Sequence, residues 1–356
     1  MDTQHHFKTT EEERASRRAQ RTAARKQRQR ARRRAMLLRT LPAAALVLLA
    51  AGELLWFLSG ETVTEEPGLP ADLNEIPPAG EPDPESYVPL SAQASSATVH
   101  LGEDFGSGYA ILIDVEAGTV LAEKDAWTSV SPASMTKILT LLTAAEQIEN
   151  LDASGVITPE ITAYCLENDC SMAGFWSGEE PSIRDLFYGT ILPSGAEAAL
   201  ALADCAAGSH EAFVELMNEK ARELGTSAHF TNCVGLYSPD NRCSVYDMAV
   251  ILKAAMDNDF CRDVLTQKTY DIPASPLRED PLLLSNWFIR RIEDHMPEGM
   301  EILGAKTGYI IESGNCAASF ARGPDGSLYI CVTAMGGGIW PCIFDHVALY
   351  EMVSGA

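Results

Sequence analysis

An apolar run from Leu41 to Leu58 divides the chain into two parts of opposite charge. Residues 1–40 carry 13 Lys and Arg against 4 Asp and Glu. The remainder holds 14 basic residues against 46 acidic ones. Segments so different belong in different surroundings, and the acidic part would repel a polyanion, which argues against nucleic acid as a partner. Arg-rich sequence before an apolar run and acidic sequence after it follow the positive-inside rule. Eighteen residues is at the short end for a spanning helix. The expected order is a basic cytoplasmic tail at 1–35 and a single-pass membrane anchor at 36–59, with everything after it outside the cytoplasm. A cleaved signal peptide is the alternative. The long basic region and the want of a small-x-small site favour the anchor.

Residues 60–97 are rich in Pro, Glu, Asp and Ser and poor in aliphatic side chains. They read as a disordered, semi-extended linker reaching at most roughly 110 Å. A folded domain is expected over 98–356. Its Gly108–Asp114 and Thr119–Glu123 segments read as a strand hairpin around Glu116-Ala117-Gly118. Helical spacing follows from Met135, from Ser182 to Pro193, and over 196–207, 211–224 and 245–256. A helix-poor stretch with Cys165, Cys170 and Gly174 interrupts them. After Glu301 the period changes to that of strands, at 302–310, 316–321 and 328–335. A turn at Gly323-Pro324-Asp325-Gly326 joins the last two. A short helix at 343–352 ends the chain. Strands at both ends of a helical middle predict one α+β domain whose sheet is closed by both ends.

Within this domain, Ser134-Met135-Thr136-Lys137 places a hydroxyl three residues before a lysine at the start of a helix. Residues three apart share a helix face. Helix N-termini favour developing negative charge. The pair suits a nucleophile and its base. Two later elements support it: Ser194-Gly195-Ala196, at a break between helices, and Lys306-Thr307-Gly308, on the first C-terminal strand. No Gly-x-Ser-x-Gly elbow marks a Ser-His-Asp hydrolase, and neither the seven histidines nor the nine cysteines have metal-ligand spacing. No cofactor is expected. Nine cysteines leave at least one unpaired within the chain. Cys165/Cys170 and Cys233/Cys243 are the nearest candidate pairs, with buried free thiols the alternative.

The ordered set Ser-x-x-Lys, Ser-x-Asn and Lys-Thr-Gly belongs to penicillin-binding proteins and class A β-lactamases. Pro132-Ala133-Ser134-Met135-Thr136-Lys137, Leu192-Pro193-Ser194-Gly195, Phe230-Thr231-Asn232 with Gly235-Leu236, and Gly304-Ala305-Lys306-Thr307-Gly308-Tyr309 resemble the D-alanyl-D-alanine carboxypeptidases. These are the low-molecular-mass penicillin-binding proteins. The resemblance spans roughly 105–356. It implies the β-lactamase/penicillin-binding-protein-like serine transpeptidase fold, an antiparallel sheet with a helical subdomain. It implies Ser134 as nucleophile, Lys137 as base and Ser194 as proton relay. Lys306, Thr307, Gly308 and Tyr309 would line the substrate, Lys306 and Thr307 holding its terminal carboxylate. The backbone N–H groups of Ser134 and Tyr309 would form the oxyanion hole. The implied substrate is a peptidoglycan stem peptide ending in D-Ala-D-Ala, with β-lactam antibiotics as covalent inhibitors. One position departs: Ala196 stands where the family pattern has Asn, which predicts reduced turnover. The alternatives are a class A-like β-lactamase, which lacks its Glu-x-x-x-Asn between Ser134 and Ser194, and a degenerate protein that only binds wall peptide.

Overall fold

The computed structural model describes residues 89–355. The basic tail, the apolar run expected to anchor the chain and residues 60–88 of the linker lie outside the described residues. Among those described, no helix is long and apolar enough to cross a membrane.

Six strands form the main sheet: β1 (Gln93–His100), β2 (Tyr109–Asp114), β3 (Thr119–Lys124), β6 (Glu301–Ile310), β7 (Gly314–Arg322) and β8 (Leu328–Gly336). Their order is β1-β3-β2-β8-β7-β6. β2 and β8 pair antiparallel from Tyr109↔Ala334 to Asp114↔Tyr329, so the two ends of the domain close one sheet, as expected. β4 (Thr269–Ile272) and β5 (Leu282–Ser285) form a separate two-stranded ribbon.

The sheet departs from expectation at its edge. β1 takes up residues 93–97, assigned above to the linker, and runs parallel to β3 in an otherwise antiparallel sheet. Only Thr98 of this strand is buried, its hydroxyl donating to the Val120 carbonyl at 2.6 Å. An edge strand with one inward side chain has no apolar alternation to announce it.

Nine helices are described: α1 (Lys137–Gln147), α2 (Pro159–Glu167), α3 (Ile183–Ile191), α4 (Ala196–Ala207), α5 (His210–Glu223), α6 (Val245–Asp257), α7 (Asp259–Thr266), α8 (Ile289–Ile292) and α9 (Ile339–Glu351). Side-chain caps explain several starts. Ser182, Ser209 and Ser244 each accept a backbone N–H of the first turn, and Ser244 with Asp247 makes a full capping box. α2 lies in the stretch read as helix-poor. Thr158 caps it and Pro159 opens it, a start signal that its short apolar face obscures.

Alternation along β2 buries both faces of the sheet. Ile111 and Ile113 point into a large core shared with α1, α3, α4 and α6, while Ala110 and Leu112 face a smaller one beneath α8 and α9. In the larger core α1 packs among α3, α4, α5 and α6, and the 3-10 turn Ala133–Thr136 that leads into it meets β6.

Candidate active site

Ala133–Thr136 forms a single 3-10 turn that runs directly into α1. Ser134 therefore sits just ahead of the α-helix rather than inside its first turn. Lys137 is the first α-helical residue. Its ammonium donates to Ser134 Oγ at 3.1 Å and to the Val234 carbonyl at 2.7 Å. Burial pushes the Lys137 pKa down to about 8, against the pull of neighbouring acidic groups including Glu197.

The Val234 carbonyl is held by Asn232. Its side-chain oxygen accepts the N–H groups of Val234, Gly235 and Leu236 at 3.3, 2.7 and 2.9 Å, and its amide donates to the Leu236 carbonyl at 3.1 Å. One residue earlier, the Cys233 carbonyl accepts from Thr140 Oγ1 at 2.7 Å. The segment is thus tied to α1 at two successive carbonyls. Asn232 and Gly235 entered the sequence reading only through resemblance; the folded chain gives them a physical task.

β6 passes against the nucleophile. A Cβ on Gly308 would lie 2.9 Å from the Ser134 nitrogen and 2.8 Å from Cys316 Sγ, so the strand approaches this closely only with glycine there. The strand also sorts the four residues expected to meet substrate. Thr307 and Tyr309 point outward and are exposed. Lys306 points inward, is 2% exposed and donates to the Thr307 carbonyl at 2.7 Å. Burial holds its pKa well below the ordinary lysine value, and the charge of Lys137 pushes the same way. Burial is the largest cause of the Lys137 shift, and one of the three Lys306 ammonium donors is spent on the Thr307 carbonyl.

Ser194 occupies the corner between α3 and α4 with φ of +67°. Such a conformation costs a non-glycine residue about 1–3 kcal/mol. The corner is locked by Gly195 N–H donating to the Gly189 carbonyl at 2.9 Å and Ala196 N–H to the Ser171 carbonyl at 2.8 Å. Among the described residues, the buried Ser194 hydroxyl has no hydrogen-bond partner. Ser194 thus combines a left-handed backbone with an unpartnered buried hydroxyl. Ala196 is buried and belongs to the helical core. Beside it, Glu197 is fully buried, accepts the Gly174 N–H at 2.8 Å, and has its carboxyl pKa raised by burial.

Ser134, Ser194, Thr307, Gly308 and Tyr309 all line one cleft of about 630 Å³. Lys137 meets this cleft through its bond to Ser134 Oγ, and Lys306 is buried on β6 between lining residues and the core. Part of the lining went unread in the sequence: Trp287, Phe288 and Arg291 come from the segment around α8. A four-residue helix carries too little periodicity to mark them. The Cys165/Cys170 and Cys233/Cys243 pairs are not bridged; all nine cysteines are free thiols and seven of them are buried.

A serine bonded to a buried lysine, at the seam between a helical lobe and a largely antiparallel sheet, defines the fold class of the penicillin-binding serine peptidases. The model of one family, described as D-alanyl-D-alanine carboxypeptidase, matches residues 93–334, and the chain belongs to that family. D-alanyl-D-alanine carboxypeptidase DacF of Bacillus subtilis is 30% identical over 244 residues, 67% of this chain and 59% of that protein. DacC of Escherichia coli is 30% identical over 221 residues, 60% of this chain and 53% of its own length. The match thus spans between half and three fifths of these relatives. The solved DD-transpeptidase of Streptomyces K15 superposes with a TM-score of 0.64 at 26% identity, over 70% of this chain and 98% of that one.

Proposed function

We propose that the protein is a serine-type D-Ala-D-Ala carboxypeptidase that removes the terminal D-alanine from peptidoglycan stem peptides. The observation that carries the reading is the 3.1 Å bond between Lys137 Nζ and Ser134 Oγ. Ser134 Oγ attacks the carbonyl of the D-Ala–D-Ala bond, and its proton passes to neutral Lys137. The oxyanion is received by the N–H groups of Ser134 and Tyr309. Ser194 relays the proton taken up by Lys137 to the leaving D-alanine amine as the C–N bond breaks, which returns Lys137 to its neutral form. Water then attacks the ester carbonyl and frees Ser134 and the shortened peptide.

Penicillins present a comparable strained amide and acylate Ser134, with slow release. On this reading the N-terminal basic and apolar segments hold the catalytic domain at the membrane, outside the cytoplasm, where its substrate lies.

The test is D-alanine release from a peptide ending in D-Ala-D-Ala, beside a Ser134→Ala control. Release well above the control is expected. Release no faster than the control, without labelling of Ser134 by a fluorescent penicillin, would leave only a binding role. Rapid hydrolysis of the penicillin would assign a β-lactamase instead.

A further inference from the structure

Two of the nine thiols meet at the end of α2, beside the cleft. The helix closes in a Schellman motif. Asn168 donates its N–H to the Tyr164 carbonyl, and Asp169 then turns into the left-handed region with φ of +49°. The Cys170 N–H reaches back to the Cys165 carbonyl at 2.9 Å. This motif sets the side chain that follows the turn against one in the last turn of the helix. Apolar side chains commonly fill the two places; here both are cysteine. Their thiols interact by a side-chain hydrogen bond, which raises the Cys165 pKa and lowers that of Cys170. Lys137 also pulls Cys170 down, against its burial. A thiol drawn toward its thiolate form is the one that attacks a disulfide. Cys170 is open to such a reagent, since among the nine cysteines only it and Cys205 are not buried.

The pair is one residue away from the site. Ser171 follows Cys170 and lines the cleft. Its carbonyl accepts the Ala196 N–H at 2.8 Å, one of the two bonds that lock the Ser194 corner. Ala173 lies so close to Gly195 that a Cβ there would sit 2.7 Å from the Ala173 Cβ. Gly174 donates to the buried Glu197 at 2.8 Å. Closing a disulfide draws two sulfurs from contact to about 2.05 Å. The shift falls on Cys170, because Cys165 is held within the helix and buried. Ser171 moves with it, and the Ser194 hydroxyl loses its position.

We propose that Cys165 and Cys170 form a reversible dithiol switch, whose oxidation to a disulfide displaces Ser171 and slows acylation of Ser134. The effect on Ser134 rests on the carboxypeptidase reading above. The oxidant is a low-molecular-mass disulfide. The Cys170 thiolate attacks one of its sulfurs, and the first small thiolate leaves. The Cys165 thiolate then attacks Cys170 Sγ and releases the second. The two protein thiol protons pass to the two released thiolates. The protein pair is thus oxidised by two electrons and the small disulfide reduced by two.

The experiment equilibrates the full chain in glutathione buffers of increasing disulfide fraction. Alkylation and peptide mapping, after cleavage between the two cysteines, read the bridge. The acylation rate of Ser134 by a fluorescent penicillin reads the cleft. A bridge between Cys165 and Cys170 is expected, with acylation on the order of tenfold slower in that form. Dithiothreitol should reverse both. Cys165→Ser and Cys170→Ser should each form no bridge and hold a constant rate across all buffers, whereas Cys205→Ser should respond as the native chain does. Thermal melting of each variant checks that the fold is intact. A bridge without a change in acylation overturns this proposal alone. So does glutathione capping of Cys170 that never resolves onto Cys165. A rate that falls equally in Cys170→Ser assigns the sensitivity to another thiol and overturns it too. No acylation of the reduced native chain overturns the carboxypeptidase reading and this one with it.

Discussion

Gly235 passes so close to Ala133 that a Cβ there would lie 1.9 Å from the Ala133 carbonyl oxygen and 2.9 Å from the Ser134 nitrogen. Its φ of +82° would strain any side chain as well. Gly235 follows Val234, whose carbonyl anchors Lys137, so displacing it disturbs nucleophile and base together. Gly235→Ala is expected to fold, with a lowered melting temperature, and to lose penicillin acylation of Ser134 by on the order of a hundredfold. The acylation rate measured beside the melting curve checks this. A native rate would mean that the 232–236 segment yields without moving the pair.

The acylation rate should follow the neutral form of Lys137. With its pKa pushed down to about 8, the neutral fraction grows as pH rises and levels off above that value. The rate therefore climbs about tenfold per pH unit well below 8 and flattens beyond it. An ordinary lysine would still be climbing near pH 10. Glu197 pulls the Lys137 pKa upward, so Glu197→Gln should move the inflection to lower pH. A profile flat between pH 6 and 9 would remove Lys137 from the role of base.

Much of the site was legible because its parts repeat local rules. Ser134 and Lys137 are three apart at a helix start, and their contact follows from that spacing. Closure of the sheet by β2 and β8 followed from strand signals at both ends. The partner of Lys137 was not legible, because Val234 is 97 residues away and presents a backbone carbonyl that any residue type would supply. The burial of Lys306 was available in principle. Gly304, Lys306 and Gly308 share one face of β6, and the inward-facing glycines mark close approach on that face. The motif suggested a ligand for substrate, whereas the strand period indicates a buried lysine. Arg291 had no local signal. Its placement depends on Asn286 joining α8 to β6, a contact across 19 residues.

Stability should fall in acid through His346. It is fully buried, bonded by its ring nitrogens to Ser319 at 2.8 Å and Thr333 at 3.0 Å, and burial pushes its pKa down to about 3. The unfolded chain takes up this proton near 6.5, the folded one only near 3. Stability from this residue is thus complete above 6.5 and is lost as pH falls toward 3, by at most about 1.4 kcal/mol per pH unit. Melting temperatures at pH 7, 6 and 5 should decline, and His346→Gln should flatten that decline. Parallel curves for the two proteins would assign acid lability elsewhere.

Ala196 offers the most direct test of how far the site has drifted from its family. It opens α4, is 1% exposed and packs in the helical core, two residues after the unpartnered Ser194 hydroxyl. The Asn of the family pattern would bring two N–H donors and a carbonyl acceptor to this corner. A hydrogen bond to a charged group contributes about 1.5–3 kcal/mol, or roughly tenfold to a hundredfold in rate when made in the transition state. The larger side chain must also be accommodated in a packed core, which costs about 1–3 kcal/mol. The two effects fall on different observables. Ala196→Asn should acylate and turn over faster while melting at a lower temperature. Ala196→Val adds bulk without the amide and should lower the melting temperature alone. If Ala196→Asn leaves both D-alanine release and penicillin acylation unchanged, the alanine does not limit this site. The unpartnered Ser194 hydroxyl then works without an amide beside it.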